Sequence, residues 1–304
     1  MNIQPLSLAL FACMAAAPLI SAPAQAATPI NQTRPMDANG RIDIENLKGR
    51  IQVRAWDKRQ VHVSGSLGKG VEQLVIEGDA QHLTVHVRYP RRSSDRNTEP
   101  TDLILDVPRG VALEIDGVSA DISVMGTAGS SLDIESVSGD VTVGAAPREA
   151  SIDSVSGDVR AMLHSQNVDV ESVSGDIVLR GRLNGEIDVE TVSGNVTIDS
   201  QRQQVRRVSF ASVSGDADIR VALANGGSIK TESVSGDTTL HLPKSLSARV
   251  RGESFSGDLA IPGANVIKTK YGPGSSVEHR YGSGSGSGEI TIENFSGDTE
   301  LRLE

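Results

Sequence analysis

Residues 132–143 read Leu-Asp-Ile-Glu-Ser-Val-Ser-Gly-Asp-Val-Thr-Val. Leu132 and Ile134 alternate with Asp133 and Glu135, Ser138-Gly139-Asp140 interrupts, and Val141 and Val143 then alternate with Thr142. Alternation of period two on both sides of a Gly-Asp break spells strand, bend, strand, with aliphatic side chains on one face and charged ones on the other. Residues 168–171 with 177–179, and 187–190 with 196–198, repeat the pattern.

Working outward, Ser-Val-Ser-Gly-Asp occurs five times, from Ser136, Ser154, Ser172, Ser212 and Ser233, and four looser copies begin at Gly117, Thr191, Ser254 and Asn294. The closing acid or amide falls at Asp121, Asp140, Asp158, Asp176, Asn195, Asp216, Asp237, Asp258 and Asp298, so that most steps are 18 to 21 residues and the last is a double one. A fixed period of this size means one supersecondary unit stacked on copies of itself. A lone unit offers too few inward aliphatic side chains to offset the ordering entropy of its backbone, which makes the stacking obligatory. The expected fold is therefore all-β, a single-domain β-solenoid of parallel stacked coils.

The corners form the expected structural ladder: Gly139-Asp140, Gly157-Asp158, Gly175-Asp176, Gly194-Asn195, Gly215-Asp216, Gly236-Asp237, Gly257-Asp258 and Gly297-Asp298. Glycine supplies a backbone conformation that a β-carbon disfavours, and the following Asp or Asn can bond nearby amides. Coils about 4.8 Å apart would set the carboxylates in a column, which is tolerable when each is locally hydrogen-bonded. A ladder of cations would use the same carboxylates, but one repeated acid per coil lacks the nonapeptide Gly/Asp pattern of calcium-binding rolls.

The first 26 residues carry no charge, and an apolar run over residues 6–20 leads to Ala24-Gln25-Ala26. This predicts a signal peptide over 1–26 with cleavage before Ala27, and a membrane anchor or, through Cys13, a lipoprotein signal are the competing readings. Because Cys13 is the sole cysteine, a cleaved chain has no disulfide, thiolate metal site or cysteine nucleophile. No later stretch is apolar enough to cross a bilayer as a helix, so the mature chain is expected to have no transmembrane segment and to reside in the periplasm or at the cell surface.

Net charge is −10, but residues 27–110 hold 13 basic and 11 acidic side chains whereas residues 111–304 hold 16 and 28. An acidic repeat body with 3% aromatic residues argues against nucleic-acid binding, which needs a basic track and stacking rings. It equally disfavours adhesion to anionic lipid by charge alone.

Residues 27–40 read as a flexible leader. Residues 41–110 read as an N-terminal β cap of longer strands shielding the open solenoid end, with residues 42–53 a degenerate copy of the repeat and a charged loop from Pro90 to Pro100. The repeat solenoid covers 111–304, with a Gly/Ser-rich excursion at 271–288 expected to bulge from the stack. Trp56 is expected to plug the first coil, and Phe255 and Phe295, which replace Val in the last repeats, to seal the terminal interior. His82 and His86 lie four apart, which in a strand leaves them about 13 Å from one another and unable to share a metal.

The run from Ile42 to Trp56, Gly117-Val118-Ser119-Ala120-Asp121, the Ser-Val-Ser-Gly-Asp turns and the closing Phe295-Ser296-Gly297-Asp298 resemble the bacterial adhesin-candidate family of unknown function called toastrack, over nearly all of the chain after the signal. The resemblance implies a β-solenoid in cell-envelope or surface proteins, with adhesion or envelope signalling proposed and no shared catalytic residues.

The expected function is a non-enzymatic exported interaction module presenting an acidic β-surface, built from residues such as Asp133, Glu135, Asp169, Glu171, Asp188 and Glu190, to an envelope protein or glycan. An envelope-stress or regulatory partner domain in the periplasm is the alternative. A polysaccharide-processing β-helix enzyme would need a unique cluster of acids, whereas here each acid recurs at one phase of every turn. No catalytic residue, metal ligand or cofactor is nominated.

Overall fold

The computed structural model describes residues 28–90, 98–268, 273–282 and 288–304. The signal segment, with Cys13, lies outside the described residues, as do parts of the 90–100 loop and of the Gly/Ser-rich stretch. Every regular element described is a strand. In chain order they are β1 (Thr28–Pro35), β2 (Arg41–Trp56), β3 (Gln60–Leu67), β4 (Gln73–Gly78), β5 (His82–Arg88), β6 (Thr101–Pro108) and β7 (Ala112–Met125). The repeat body follows with β8 (Ser131–Ser138), β9 (Val141–Ala145), β10 (Glu149–Ser156), β11 (Val159–Ser174), β12 (Ile177–Ser193), β13 (Val196–Ser214), β14 (Ala217–Ser235) and β15 (Thr238–Leu242). The last part holds β16 (Ala248–Ser256), β17 (Leu259–Ala260), β18 (Ile267–Lys268), β19 (Ser275–Tyr281), β20 (Gly288–Ser296) and β21 (Thr299–Leu303).

Pairing is parallel and in register through the repeats. Ile134 faces Ile152, Ile152 faces Val170, Val170 faces Val189, Val189 faces Phe210 and Phe210 faces Thr231. After each Ser-Gly-Asp corner a second wall runs the same way, with Val141 against Val159, Val159 against Ile177, Ile177 against Val196 and Val196 against Ala217. The two walls share one apolar core in which Ile134, Ile152, Val170, Ile177 and Val189 are at most 1% exposed. Each such side chain contributes at most about 1.5–3 kcal/mol by leaving water.

Adjacent coils are locked at the corner in both directions. The amide of Val159 donates to the carbonyl of Asp176 (2.9 Å) while the amide of Asp176 donates to Oδ1 of Asp158 (3.1 Å). The side-chain chain of acceptors runs from Asp121 through Asp140, Asp158, Asp176, Asn195, Asp216 and Asp237. Asn195 takes its place with the amide oxygen, which accepts from the Asp216 amide at 3.2 Å. The ladder therefore needs an acceptor and not a charge. Asp176→Asn is expected to leave stability within about 0.5 kcal/mol of the parent, and Asp176→Ala to cost about 1 kcal/mol because the Asn195 amide, 2.9 Å away, loses its acceptor. Urea unfolding of the pair checks this, and equal losses in both variants would point to charge as the working feature.

The corner glycines Gly139, Gly157, Gly175, Gly194, Gly215, Gly236 and Gly297 have φ between 120° and 135°. Gly257 lies outside the left-handed range, yet a β-carbon there would meet the Gly297 carbonyl oxygen at 1.9 Å. At this corner the close approach of backbone to backbone, rather than φ, excludes a side chain.

The stack is not in sequence order at its far end. β20 pairs with β14 on one side and β16 on the other, and β21 lies between β15 and β17. The Asp298 amide donates to Asp237 and the Asp258 amide to Asp298, so the final coil is inserted beneath an earlier one. The double step in the sequence repeat is the trace of this insertion.

Three expectations are corrected at the ends. The segment read as a flexible leader over 27–40 carries β1, which pairs antiparallel with β3 from Thr28 to Pro35, and Met36 is 1% exposed. Ile30 and Met36 supply the apolar anchors that its polar composition obscured. Within the stretch expected to bulge from the stack, β19 lies antiparallel on β16 from Ser275 to Tyr281 and covers that open edge. Trp56 does not plug the first coil: it is half-buried at the end of β2, its Nε1 donates to the Gln60 carbonyl (2.8 Å) and Lys58 Nζ lies 4.6 Å from its ring centroid. The cap is closed instead by the antiparallel pairs β4 with β5 and β3 with β6.

Candidate functional site

Alternation fixes which corner residues face water. With Ile134 inward, Glu135 points out, Ser136 in and Val137 out, and burial follows this parity in every repeat. Val137, Val155, Val173, Val192, Val213 and Val234 are accordingly 47–49% exposed, a uniform apolar column on the outside of the solenoid. Leu47 and Val118 extend it toward the cap. Phe295 and then Phe255 extend it at the other end, stacked with centroids 4.9 Å apart and planes at 8°. Phe295 is 56% and Phe255 54% exposed, so they do not seal the interior as expected but terminate the surface ladder.

The column forms one side of a groove of about 1280 Å³. The opposite side is an acidic rail two residues upstream, including Asp116, Glu135, Asp153, Glu171 and Glu190, interrupted by Ala211 in the coil of Val213. None of these five has an ion-pair partner among the described residues, whereas Glu45 at the cap end pairs with His86 and Glu232 with Lys230. Ten rungs at about 4.8 Å give the groove a length of about 43 Å.

Between rail and ladder the serine of each coil turns inward. Ser136, Ser154, Ser172, Ser212, Ser233 and Ser254 are at most 6% exposed and their hydroxyls make no hydrogen bond among the described residues. Asparagines at the same position show where these side chains aim: Asn46 Nδ2 donates to the Thr101 carbonyl (3.1 Å) and Asn294 Nδ2 to that of Gly297 (3.5 Å). The hydroxyls thus lie under the corner, inside the wall, and the groove surface itself consists of valine, carboxylate and backbone.

The acids expected to form a binding surface divide into two columns. Glu135, Glu171 and Glu190 belong to the groove, while Asp133, Asp169 and Asp188 form the neighbouring outward column. Crowding raises the Asp116 pKa, through desolvation first and then Glu135, Glu45 and Asp43, and raises that of Asp169 through desolvation and then Asp188, Glu171 and Asp153. A carboxyl whose pKa is raised on folding adds stability below its unfolded value, 3.8, and loses it as pH rises through the folded value. Asp169→Asn is therefore expected to be more stable than the parent at pH 7, by up to about 1 kcal/mol after allowance for solvent screening, with the difference vanishing near pH 3. Urea unfolding at the two pH values tests it, and a parent more stable than Asp169→Asn at pH 7 would refute the repulsion.

His82 and His86 are each drawn to a different carboxylate, Asp43 (2.6 Å) and Glu45 (2.5 Å). Among the described residues no group of three or more His, Cys, Asp or Glu is arranged to hold a metal ion, and no helix is long and apolar enough to cross a membrane. Asp140 and Asp158 each present one oxygen to the amide of the next coil, whereas Asp258, at the end of the ladder, accepts from Lys268. What the sequence reading missed is the valine ladder, although the parity of residues 132–137 contained it.

No curated protein matches the chain. Among solved structures, a candidate adhesin from Bacteroides fragilis is 13% identical, with 90% of this chain and 97% of that one covered at a TM-score of 0.43. A candidate adhesin from Parabacteroides distasonis is 12% identical over 91% and 98% of the two chains at 0.43, and a candidate lipid-binding protein from the same species is 10% identical over 90% and 97% at 0.49. Nothing about function follows from likenesses of this degree. The family model described as Toastrack DUF4097 matches residues 39–226 and again 217–302, and together with the in-register corners this makes the chain a member of that family.

Proposed function

We infer that this protein is a non-enzymatic, exported envelope protein that holds an elongated protein partner along its corner groove. The observation that carries this reading is the exposed apolar ladder: ten contiguous, half-exposed aliphatic and aromatic side chains on a soluble surface form a patch that monomers rarely leave uncovered. Export is supported by the uncharged apolar run at the N-terminus with its Ala24-Gln25-Ala26 site. A binding role is supported by repetition, since a rung that recurs along the stack offers a track, whereas catalysis needs one locally unique set of acid, base and positioning groups.

A photo-crosslinking residue placed at Val173, compared with one at Thr197 on the opposite wall, tests the reading in intact cells. Crosslinks to a defined protein from Val173 alone are expected. Equal labelling from both positions, or none from Val173, would remove the groove as the working surface. Recovery of only periplasmic partners would favour a regulatory envelope role over adhesion.

A further inference from the structure

We propose that the occupant of the groove is an amphipathic α-helix, three to four turns long, with a basic flank, laid along the axis of the solenoid. This rests on the groove being the binding surface and adds what fits it. Three observations select the helix.

The first is charge. Along the central rungs, Glu135, Asp153, Glu171 and Glu190 stand beside the valines without cationic partners among the described residues, so the complementary surface carries Lys or Arg next to an apolar seam. The second is backbone satisfaction. Strands β8 to β14 are paired on both sides in this wall, and an extended peptide finds no free edge onto which it can add as a strand. A helix satisfies its own backbone and needs only side-chain contacts.

The third is spacing. Apolar residues at i, i+3/i+4 and i+7 recur about every 5.4 Å along a helix, against about 4.8 Å between rungs. The mismatch of about 0.6 Å per turn grows to half a rung after about four turns, which sets the length of the seated segment. Five rungs from Val137 to Val213 span about 19 Å, the length of about 13 helical residues. In an extended chain, same-side residues recur at about 6.8 Å and lose the valine spacing within two pairs.

The probes are fluorescent synthetic 16-residue peptides, and the readout is anisotropy with the purified protein. One peptide has leucines at helical spacing and a lysine flank. A second has the same composition scrambled to destroy that spacing, and a third has glutamate for lysine. Micromolar binding is expected for the first, weakened at least tenfold by scrambling and by the glutamate flank, and weakened by added salt. Val155→Asn with Val173→Asn, and separately Glu171→Gln with Glu190→Gln, are each expected to lose at least fivefold. All four positions are exposed, and circular dichroism confirms that the variants remain folded.

Equal binding of ordered and scrambled peptides, no binding at millimolar concentration, or undiminished binding by folded Val155→Asn/Val173→Asn overturns the proposal. Groove-specific crosslinks in cells together with failure of the helical peptide would discard the helix and keep the groove.

Discussion

Gly175→Ala is expected to cost about 4 kcal/mol and to abolish cooperative unfolding of the repeats on both sides of it. At φ 126° the residue sits where a β-carbon is strained, and that carbon would lie 2.2 Å from the Gly157 carbonyl oxygen and 2.8 Å from its carbonyl carbon. Strain of this kind costs about 1–3 kcal/mol and an overpacked contact about 1–3 kcal/mol more. The neighbour cannot give way cheaply, because the atoms met are backbone and are held by the next corner: the Gly157 amide donates to the Ser174 carbonyl at 3.3 Å. Gly226→Ala separates the two causes. Its φ is 73°, and a β-carbon there has nothing within 4 Å, so strain alone, about 1–2 kcal/mol, should remain. Guanidinium unfolding of both variants gives the comparison, and similar losses would show that conformation and not backbone crowding makes the corner glycine necessary.

Removing residues 288–304, or the milder Ile292→Asp, should detach the C-terminal module while sparing the repeats before it. By strand pairing among the described residues, β16 reaches the stack only through β20, and β17 only through β21. Ile290, Ile292 and Leu301 are at most 1% exposed, so the inserted coil contributes about 6 kcal/mol of apolar burial as an upper estimate. Hydrogen exchange should show protection lost over residues 248–260 and retained over residues 112–199, with β14 still held by β13. Pairing with β19 alone leaves a two-stranded hairpin that protects weakly, so full protection at 248–256 after the truncation would mean that this strand is held to the stack by a route other than β20.

The sequence made the interior legible because its signals are local and repeated. Leu132, Ile134, Val141 and Val143 declare their face by alternation, and Gly139-Asp140 declares the corner. The outward valines go unread unless parity is carried through Ser136: Val137, one past an inward serine, lies outside, and so do Phe255 and Phe295 at the same position, which the reading places inside. β1 escaped notice because it packs by two apolar residues, Ile30 and Met36, in a polar segment. The order of the last coils could not be read at all. The last three corners, 235–237, 256–258 and 296–298, carry the same Ser-Gly-Asp chemistry, so nothing local in Ser254 or Asn294 says which of the two lies against Ser233, and that choice is made by the packing of whole coils.

The inserted coil gives the molecule a decoy of its own making. An elongating polypeptide presents residues 248–260 before residues 288–304 exist, and the only half-finished neighbour then on offer is the coil ending in β15. Docking there would use the same corner chemistry as the native arrangement and would occupy the berth reserved for later residues. Escape requires breaking that premature ladder before the proper one can close, so the C-terminal third should mature on a slower clock than the rest, with the delay set by the sequence's order of arrival.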